Sequence, residues 1–266
     1  METISILGGH DKEGRPEDLN LTLRRGDILS IVGPTGAGKS RFLEDFSCLA
    51  QGDTPSGRRV LIDGKPPGEE ERYSLGGRLV AQLSQNMNFV VDLTVEEFIR
   101  MHWECRSSGR SDGDEAGLMV ERIVEAANRL TGEAISAEMP VTRLSGGQSR
   151  SLMIADTGLL SPSPVVLIDE LENAGVNRTG ALELLVGEDK IVLVSTHDPA
   201  LALLGGKRLC IRGGAARRIL KTSAEERRNG AFLAAVNEKF MELRETLRDG
   251  ASLDFDMRLF FKEVLT

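Results

Sequence analysis

Residues 26–46, GDILSIVGPTGAGKSRFLEDF, join a short apolar run to a glycine-rich loop and then to a helical pattern. Positions 33–40 fit the spacing G-x-x-x-x-G-K-[ST] in the strand–loop–helix context that this motif requires. The glycines let backbone N–H groups turn inward around anionic oxygens, and the following helix adds its partial positive charge. We expect Lys39 to reach the β- and γ-phosphates of a nucleotide and the Ser40 hydroxyl to bind Mg²⁺. The predicted nucleotide-binding residues are Gly33, Pro34, Thr35, Gly36, Ala37, Gly38, Lys39 and Ser40.

Two later apolar runs end in residues that suit phosphate chemistry. SPVVLIDE, residues 163–170, ends on Asp169 and Glu170, and DKIVLVSTHD, residues 189–198, reaches His197. Continuous Val, Ile and Leu runs are typical of a parallel sheet covered on both faces, and ligands collect at the carboxyl ends of such strands. We expect Asp169 to hold Mg²⁺ and Glu170 to polarise the attacking water as a general base. The pattern predicts an α/β fold with a mostly parallel sheet.

The rest of the chain divides by pattern into flanking units. Short β segments near the N-terminus and in residues 58–67 suggest an antiparallel side sheet. The stretch from 86 to 155 turns helical, and one of its helices follows a capping box in which Thr94 precedes Glu97 by three residues. Beyond residue 215 an apolar stripe predicts a long helix, either docked on its own core or available to a partner. We expect core segments at 1–85 and 156–215, an inserted helical subdomain at 86–155 and a C-terminal helical extension at 216–266.

Composition limits the partners that we expect. The 266 residues carry a formal net charge of −8, which argues against a nucleic-acid partner, because such partners usually require a basic face. The three cysteines show neither metal-ligand spacing nor a disulfide framework, so a reducing cytoplasm is the expected compartment. No signal-peptide pattern is visible, and no apolar run approaches the roughly 18 residues that a membrane span requires. If membranes matter, we expect a separate protein to supply the spanning helices.

A second glycine-rich segment, LSGGQSR at residues 144–150, also opens a helical pattern. A P-loop, LSGGQ and an acid pair in this order resemble the ATP-binding cassette (ABC) family of ATPases, and the resemblance covers about residues 1 to 215. LSGGQ between those two motifs is highly specific. The resemblance further implies a glutamine that senses Mg²⁺ and the attacking water, and a switch histidine that contacts the γ-phosphate. The catalytic residues implied are Glu170, His197 and Gln85, and the metal-binding residues are Ser40, Gln85 and Asp169.

In the ABC family two cassettes pair head to tail, and the signature segment of one covers the ATP held by the P-loop of the other. The resemblance therefore implies that ATP and Mg²⁺ are the cofactors and that a second cassette, in a homodimer or a heterodimer, is the partner. A hydroxyl and unhindered N–H donors at a helix start also suit an anion on physical grounds. The residues implied to bind the partner's γ-phosphate are Ser145, Gly146, Gly147 and Gln148.

Three positions depart from the family pattern. No Phe, Tyr or Trp precedes Phe42, so the ring that the family usually stacks on adenine is missing. His10 lies about where that ring is expected and is either a weaker stacking ring or a surface residue in a turn. Arg41 stands where a second hydroxyl is common, and it either pairs with the α-phosphate or points to solvent. Asn173 and Ala174 keep part of the family's D-loop, but Val176 replaces its aspartate, so communication between the two ATP sites is expected to differ from that in typical transporters.

The leading hypothesis is the ATPase subunit of an ABC transporter, peripheral on the inner face of the cell membrane, with separate transmembrane subunits that carry the substrate. Under it, Phe89, Val90 and Val91 form either the groove for a coupling helix or the edge of a core. The alternative is a soluble ABC ATPase that remodels a protein or assembles a cofactor without transport, which the unusual D-loop and the C-terminal extension favour. A regulator without hydrolysis conflicts with the presence of Glu170 and His197.

Overall fold

The structure, a computed structural model, describes residues 1–73, 79–84, 89–106, 113–171 and 175–265. Within these ranges one strand leads into the P-loop, another ends at the acid pair, and a third ends two residues before the histidine. The strands are β1 (Thr3–Leu7), β2 (Asn20–Arg24), β3 (Ile28–Val32), β4 (Arg59–Ile62), β5 (Val80–Leu83), β6 (Val165–Asp169), β7 (Ile191–Ser195), β8 (Lys207–Arg212) and β9 (Ala215–Lys221).

A six-stranded sheet in the order β5-β6-β7-β3-β8-β9 forms the centre of the molecule. All neighbouring strands in it pair in parallel except β8 and β9, which form an antiparallel hairpin. Every residue of β7, and every residue of β6 but the last, is buried, as expected for apolar runs covered on both faces. The predicted mostly parallel sheet is confirmed, and it brings the carboxyl ends of β3, β6 and β7 to one edge.

The predicted side sheet is also present. Three strands in the order β2-β1-β4 pair antiparallel. In β2 the residues alternate between exposed and buried, so Leu21 and Leu23 point inward while the residues between them face solvent. These leucines share one hydrophobic core with β3 and with the helix that follows the P-loop, whose Phe42 and Phe46 are fully buried.

The helices pack on both faces of the central sheet, and several of them lie in the chain segment between β5 and β6. They are α1 (Lys39–Ser47), α2 (Glu69–Tyr73), α3 (Val95–Arg106), α4 (Gly113–Leu130), α5 (Gly146–Leu159), α6 (Arg178–Gly187), α7 (Pro199–Leu204), α8 (Ala224–Arg248), α9 (Met257–Phe260) and α10 (Lys262–Leu265). Among the described residues, no helix is both long and apolar enough to cross a membrane.

An inserted helical subdomain contains α3, α4 and α5, which enclose a hydrophobic cluster of their own around Ile99, Ile123 and Leu152. The predicted capping box starts α3: the amide of Thr94 donates to Glu97, and the amide of Glu97 donates to the Thr94 hydroxyl. The backbone N–H and the hydroxyl of Thr94 both donate to the Glu97 carboxylate and lower the pKa of Glu97, the backbone N–H having the largest effect. The division at residues 85, 155 and 215 stays a prediction, because the elements alone do not fix those boundaries.

Residues 216–221 of the predicted C-terminal extension belong to β9 of the central sheet, and the rest of the extension is a long helix followed by two short ones. The first half of α8 packs on α7, where a Cβ added to Gly230 would lie 3.1 Å from the Cβ of Leu203. In the second half Leu243 is buried, whereas Phe240 and Leu247 are 50% and 57% exposed. The apolar stripe is therefore docked on its own core over only part of its length.

Candidate active site

The P-loop connects β3 to α1 at the edge where the parallel strands end. A Cβ added to Gly33 would lie 2.3 Å from the carbonyl oxygen of Ile211, which is too close for any side chain. Gly36 and Gly38 have φ angles of 73° and 104°, in the region that favours glycine. Gly38 caps α1 without a side-chain hydrogen bond. The first N–H groups of a helix have no partner within the helix, so this turn can bind anions.

Lys39 contacts the histidine that follows β7, the strand beside β3 in the sheet. Its side-chain nitrogen donates to the carbonyl oxygen of Gly33 over 3.1 Å and lies 3.0 Å from Nε2 of His197. Only 7% of Lys39 is exposed, so its charge sits in a confined position beside the loop. The fold thus places the predicted phosphate-binding lysine and the predicted switch histidine in contact.

The predicted metal-binding oxygens also come together. The Ser40 hydroxyl donates to the Asp169 carboxylate over 3.1 Å. The other oxygen of that carboxylate accepts a short hydrogen bond from the hydroxyl of Ser195. A hydroxyl and a carboxylate are hard oxygen ligands of the kind that Mg²⁺ prefers, and Mg²⁺ usually completes its coordination with water and phosphate oxygens. The residues present therefore fit Mg²⁺.

Glu170 follows β6 in a left-handed conformation, with a φ of 51°. Its amide donates to the backbone oxygen and to the hydroxyl of Ser195, over 3.2 and 3.3 Å. Its carboxylate oxygen Oε1 lies 3.9 Å from Nε2 of His197. A non-glycine residue in this conformation is costly and persists where the surroundings enforce it, often at functional sites. Glu170, His197 and Lys39 form one continuous set of contacts.

The signature segment begins α5 with a complete capping box. Ser145 accepts a hydrogen bond from the amide of Gln148 and donates its own amide to that side chain, over 3.2 and 2.9 Å. The Gln148 side chain is nearly buried and also donates to the carbonyl of Ala134. Gln148 is therefore directed into its own subdomain. Ser145, Gly146 and Gly147 remain at the helix start, and their predicted contact with a partner's ATP stays a prediction.

The remaining candidates lie apart from this set of contacts. His10 forms an isolated bridge with Pro16, and its ring lies against Gly57, where an added Cβ would be 3.1 Å from Cδ2. Arg41 pairs with Glu44 over 3.0 Å, with half of its side chain exposed, so it points along α1 toward solvent. Gln85 and the D-loop positions 173 and 174 lie outside the described residues.

A cavity of about 670 Å³ adjoins the first residues of the P-loop and the β8–β9 hairpin. Three arginines line it, Arg15, Arg212 and Arg217. Asp11 binds two of these arginines: its carboxylate accepts hydrogen bonds from the amide and the side chain of Arg15 and from the side chain of Arg217. The pKa of Asp11 is well below its usual range, and the hydrogen bond from the backbone N–H of Arg15 is the largest cause. Burial raises this pKa, whereas the hydrogen bond from the Arg15 guanidinium lowers it further.

Two residues of the site escape sequence reasoning. Ser195 holds both acids, and Arg150 donates to the carbonyl of Asp169 over 2.9 Å from the distant helix α5. Ser195 carries a weak signal, since it is the polar residue that ends an apolar run. Arg150 has none, because its contact depends on how the helical subdomain packs against β6.

Comparisons with known proteins agree with this arrangement. A family model described as ABC transporter matches residues 16–173. An uncharacterized ABC transporter ATP-binding protein of Methanocaldococcus jannaschii is 49% identical over 254 residues, 95% of this chain and 95% of the relative. A hemin import ATP-binding protein of Streptomyces coelicolor is 31% identical over 79% of this chain and 75% of its own.

Two solved structures show the same fold. A dimeric ATP-binding cassette in a post-hydrolysis state with ADP and Pi covers 83% of this chain and 99% of its own, with a TM-score of 0.63 and 23% identity. A Clostridium perfringens protein that is part of an ABC transporter complex covers 93% of this chain and 100% of its own, with a TM-score of 0.62 and 20% identity. At these identities the likeness concerns the fold alone.

Proposed function

This chain belongs to the ABC transporter family and is an ATPase of that family, and from that premise we propose that it hydrolyses ATP for a transporter whose membrane-spanning part is a separate protein. The observation that carries the proposal is the convergence of Lys39, Asp169, Glu170 and His197 at the edge of the sheet where the P-loop lies. The 31% identity to a hemin import ATP-binding protein supports the transport role.

In this proposal the described residues divide the work of phosphoryl transfer to water. The P-loop amides and Lys39 bind and orient the phosphates, and the confined lysine charge favours the negative charge that builds up on the γ-phosphate. Glu170 orients the attacking water and takes its proton, and His197 contacts the γ-phosphate. Ser40 and Asp169, with Gln85 as a further proposed ligand, would hold Mg²⁺, which would supply charge neutralisation on the phosphate oxygens.

We also propose that two cassettes, identical or different, pair head to tail around two ATP molecules. The start of α5 supports this, since a Cβ added to Gly146 would meet no atom within 4 Å. Space beside an amide at a helix N-terminus suits an anion that arrives from a second molecule. ATP then joins the two chains, and loss of phosphate after hydrolysis separates them, because the nucleotide binds the closed state better.

The membrane partner is proposed to dock on the helical subdomain, at 86–155, while 1–85 and 156–215 form the nucleotide core and 216–266 the extension. Phe89 packs edge-on against Phe98 with ring centroids 5.0 Å apart, so it belongs to the core of the subdomain. Val90 is 92% exposed. An exposed valine beside this aromatic pair is a suitable contact for an apolar helix from a membrane subunit. In this proposal that subunit holds the chain at the inner face of the membrane.

Co-purification tests the proposal. Tagged Glu170→Gln protein is isolated with ATP from detergent-solubilised membranes and from cytosol, and mass spectrometry identifies what accompanies it. We expect a polytopic membrane protein in stoichiometric amount, and a Val90→Asp variant should lose it. A soluble enzyme or assembly factor recovered in its place would contradict the transport role and favour a cytosolic ATP-driven remodeller.

A further inference from the structure

Arg150 lies in α5, the helix that starts at the signature turn, and its side chain crosses to the edge of the sheet that carries the acids. Its Nη2 donates to the carbonyl oxygen of Asp169 over 2.9 Å, and only 2% of the residue is exposed. A guanidinium is costly to remove from water unless its N–H groups find acceptors. This bond is therefore a fixed feature of the packing between α5 and β6.

The accepting carbonyl belongs to the peptide that joins Asp169 to Glu170. The carbonyl and the amide of one peptide share a plane, and the amide of this one donates to the backbone oxygen of Ser195 over 3.2 Å. Arg150 and Ser195 thus hold opposite edges of the same plane. Glu170 continues from it with a φ of 51°, a conformation that its surroundings have to enforce. The direction of the Glu170 carboxylate depends on this plane.

The other end of the connection is the signature turn. Ser145 caps α5 and Arg150 follows in the same helix, about 8 Å further along its axis at the usual rise per residue. A hydrogen-bonded helix of this length is stiff, so a displacement of the turn carries the arginine with it. The contact between Arg150 and the Asp169 carbonyl then passes the displacement to the peptide before Glu170.

We propose that Arg150 positions Glu170 of its own cassette and so links the signature turn to the general base. The signature helix then serves both ATP sites of the dimer: its first turn binds the partner's nucleotide, and Arg150 sets the base of its own site. This inference rests on the proposed head-to-tail dimer. It supplies a route between the two sites in a chain that has Val176 where the family's D-loop has an aspartate.

Steady-state kinetics give the first test. Arg150→Met should lower kcat about 100-fold, the loss expected when a catalytic group is misplaced by about 1 Å, while KM for ATP stays within about threefold. Arg150→Lys, which keeps the charge, should recover part of kcat. The matched control is Arg129→Met on α4, whose side chain is 72% exposed and whose loss should change neither constant. A kcat of Arg150→Met within about twofold of wild type would overturn the inference.

Mixing of variants tests whether Arg150 acts on its own site. Glu170→Gln protein is mixed with Gly146→Arg or with Arg150→Met protein. Gly146→Arg leaves the Ser145 cap in place, because a Cβ at position 146 would meet no atom within 4 Å. With Gly146→Arg, one site of the mixed dimer combines an intact Glu170 with an intact signature turn, so hydrolysis should return. With Arg150→Met, the remaining Glu170 is the one that has lost its support, so hydrolysis should stay absent, and its return would overturn the inference.

The two mixtures test the role of Arg150 and the head-to-tail dimer separately. An inactive mixture with Gly146→Arg would contradict the head-to-tail arrangement, whatever Arg150 does. In that case the kcat and KM of Arg150→Met alone would still decide whether Arg150 positions Glu170.

Discussion

Two glycine-rich turns start helices in this chain, and their glycines answer to different requirements. At the P-loop, Gly38 has a φ of 104° and a Cβ there would lie 3.2 Å from the Cα of Gly214. At the signature turn, Gly146 is the first helical residue of α5, and an added Cβ would meet no atom within 4 Å. The cap differs too: Gly38 makes no side-chain cap bond, whereas Ser145 forms a full capping box.

The difference separates an internal requirement from an external one. The P-loop needs glycine because its backbone conformation and its packing on the β8–β9 hairpin exclude a side chain. Within the described part of the chain, neither the backbone conformation nor a close contact requires glycine at position 146, where alanine would favour the helix more strongly. We infer that the requirement at the signature turn comes from another molecule, which fits a nucleotide held by a second cassette.

We expect the greatest loss of stability from a change in the frame behind the P-loop, which is the buried ion-pair network formed by Arg58, Glu17 and Asp45. Arg58 is fully buried and donates to Glu17, to Asp45 and to the carbonyl of Gly214, which packs on Gly38. Arg58→Met leaves two buried carboxylates without their cation and should lower the free energy of unfolding by about 3–5 kcal/mol. Urea unfolding measures it, and exposed Arg59→Met is the control. Equal stability of both variants would show that the P-loop does not depend on this frame.

Lys39→Ala should remove most of the nucleotide affinity. The loss of a buried charge that faces phosphate oxygens costs about 2–5 kcal/mol of binding free energy, which is roughly 30-fold or more in Kd. Titration of a fluorescent ATP analogue gives the value, with Lys65→Ala on an exposed turn as the control. Unchanged affinity would mean that this turn does not hold the chain's own nucleotide.

The paired variants Gly38→Ala and Gly146→Ala test the comparison itself. Gly38→Ala forces a side chain into a left-handed conformation and should destabilise the fold by about 1–3 kcal/mol. Gly146→Ala should leave the free energy of unfolding unchanged or raise it by up to about 1 kcal/mol, yet weaken the ATP-dependent dimer of the Glu170→Gln protein. Thermal unfolding and dimer dissociation constants separate the two effects. Similar destabilisation by both substitutions would refute the external requirement.

We expect the smallest effect on stability at the turn formed by residues 11–15, which is hydrogen-bonded to the β8–β9 hairpin beside the P-loop. The amide of Lys12 donates to the carbonyl of Gly213, and Asp11 holds the turn through Arg15. Because the pKa of Asp11 is lowered on folding, its contribution to stability is present above its unfolded pKa and fades as pH falls through the folded one. The difference in unfolding midpoint between wild type and Asp11→Asn should therefore shrink as pH drops from about 5 toward 2. If the difference in unfolding midpoint did not change with pH, the turn would be stabilised by contacts other than those of the ionised Asp11 carboxylate.

The sequence was sufficient where local chemistry decides the structure. The P-loop, the buried parallel strands and the Thr94 capping box follow from glycine spacing, apolar runs and short-range hydrogen bonds, and all are present. The sequence was insufficient where contacts depend on packing between distant segments. Arg150 and Ser195 meet the acid pair only because α5 and β7 flank β6, and Gln148 turns inward because its helix cap needs it.

In the proposed dimer, ATP joins two chains through the P-loop of one and the signature turn of the other. The direct measurement is the mass of Glu170→Gln protein by sedimentation equilibrium, with and without Mg-ATP. We predict that ATP shifts the protein from one chain of 28.9 kDa to twice that mass and that a second substitution, Ser145→Arg, prevents the shift. A protein that binds ATP and keeps the mass of one chain would contradict the ATP-joined dimer.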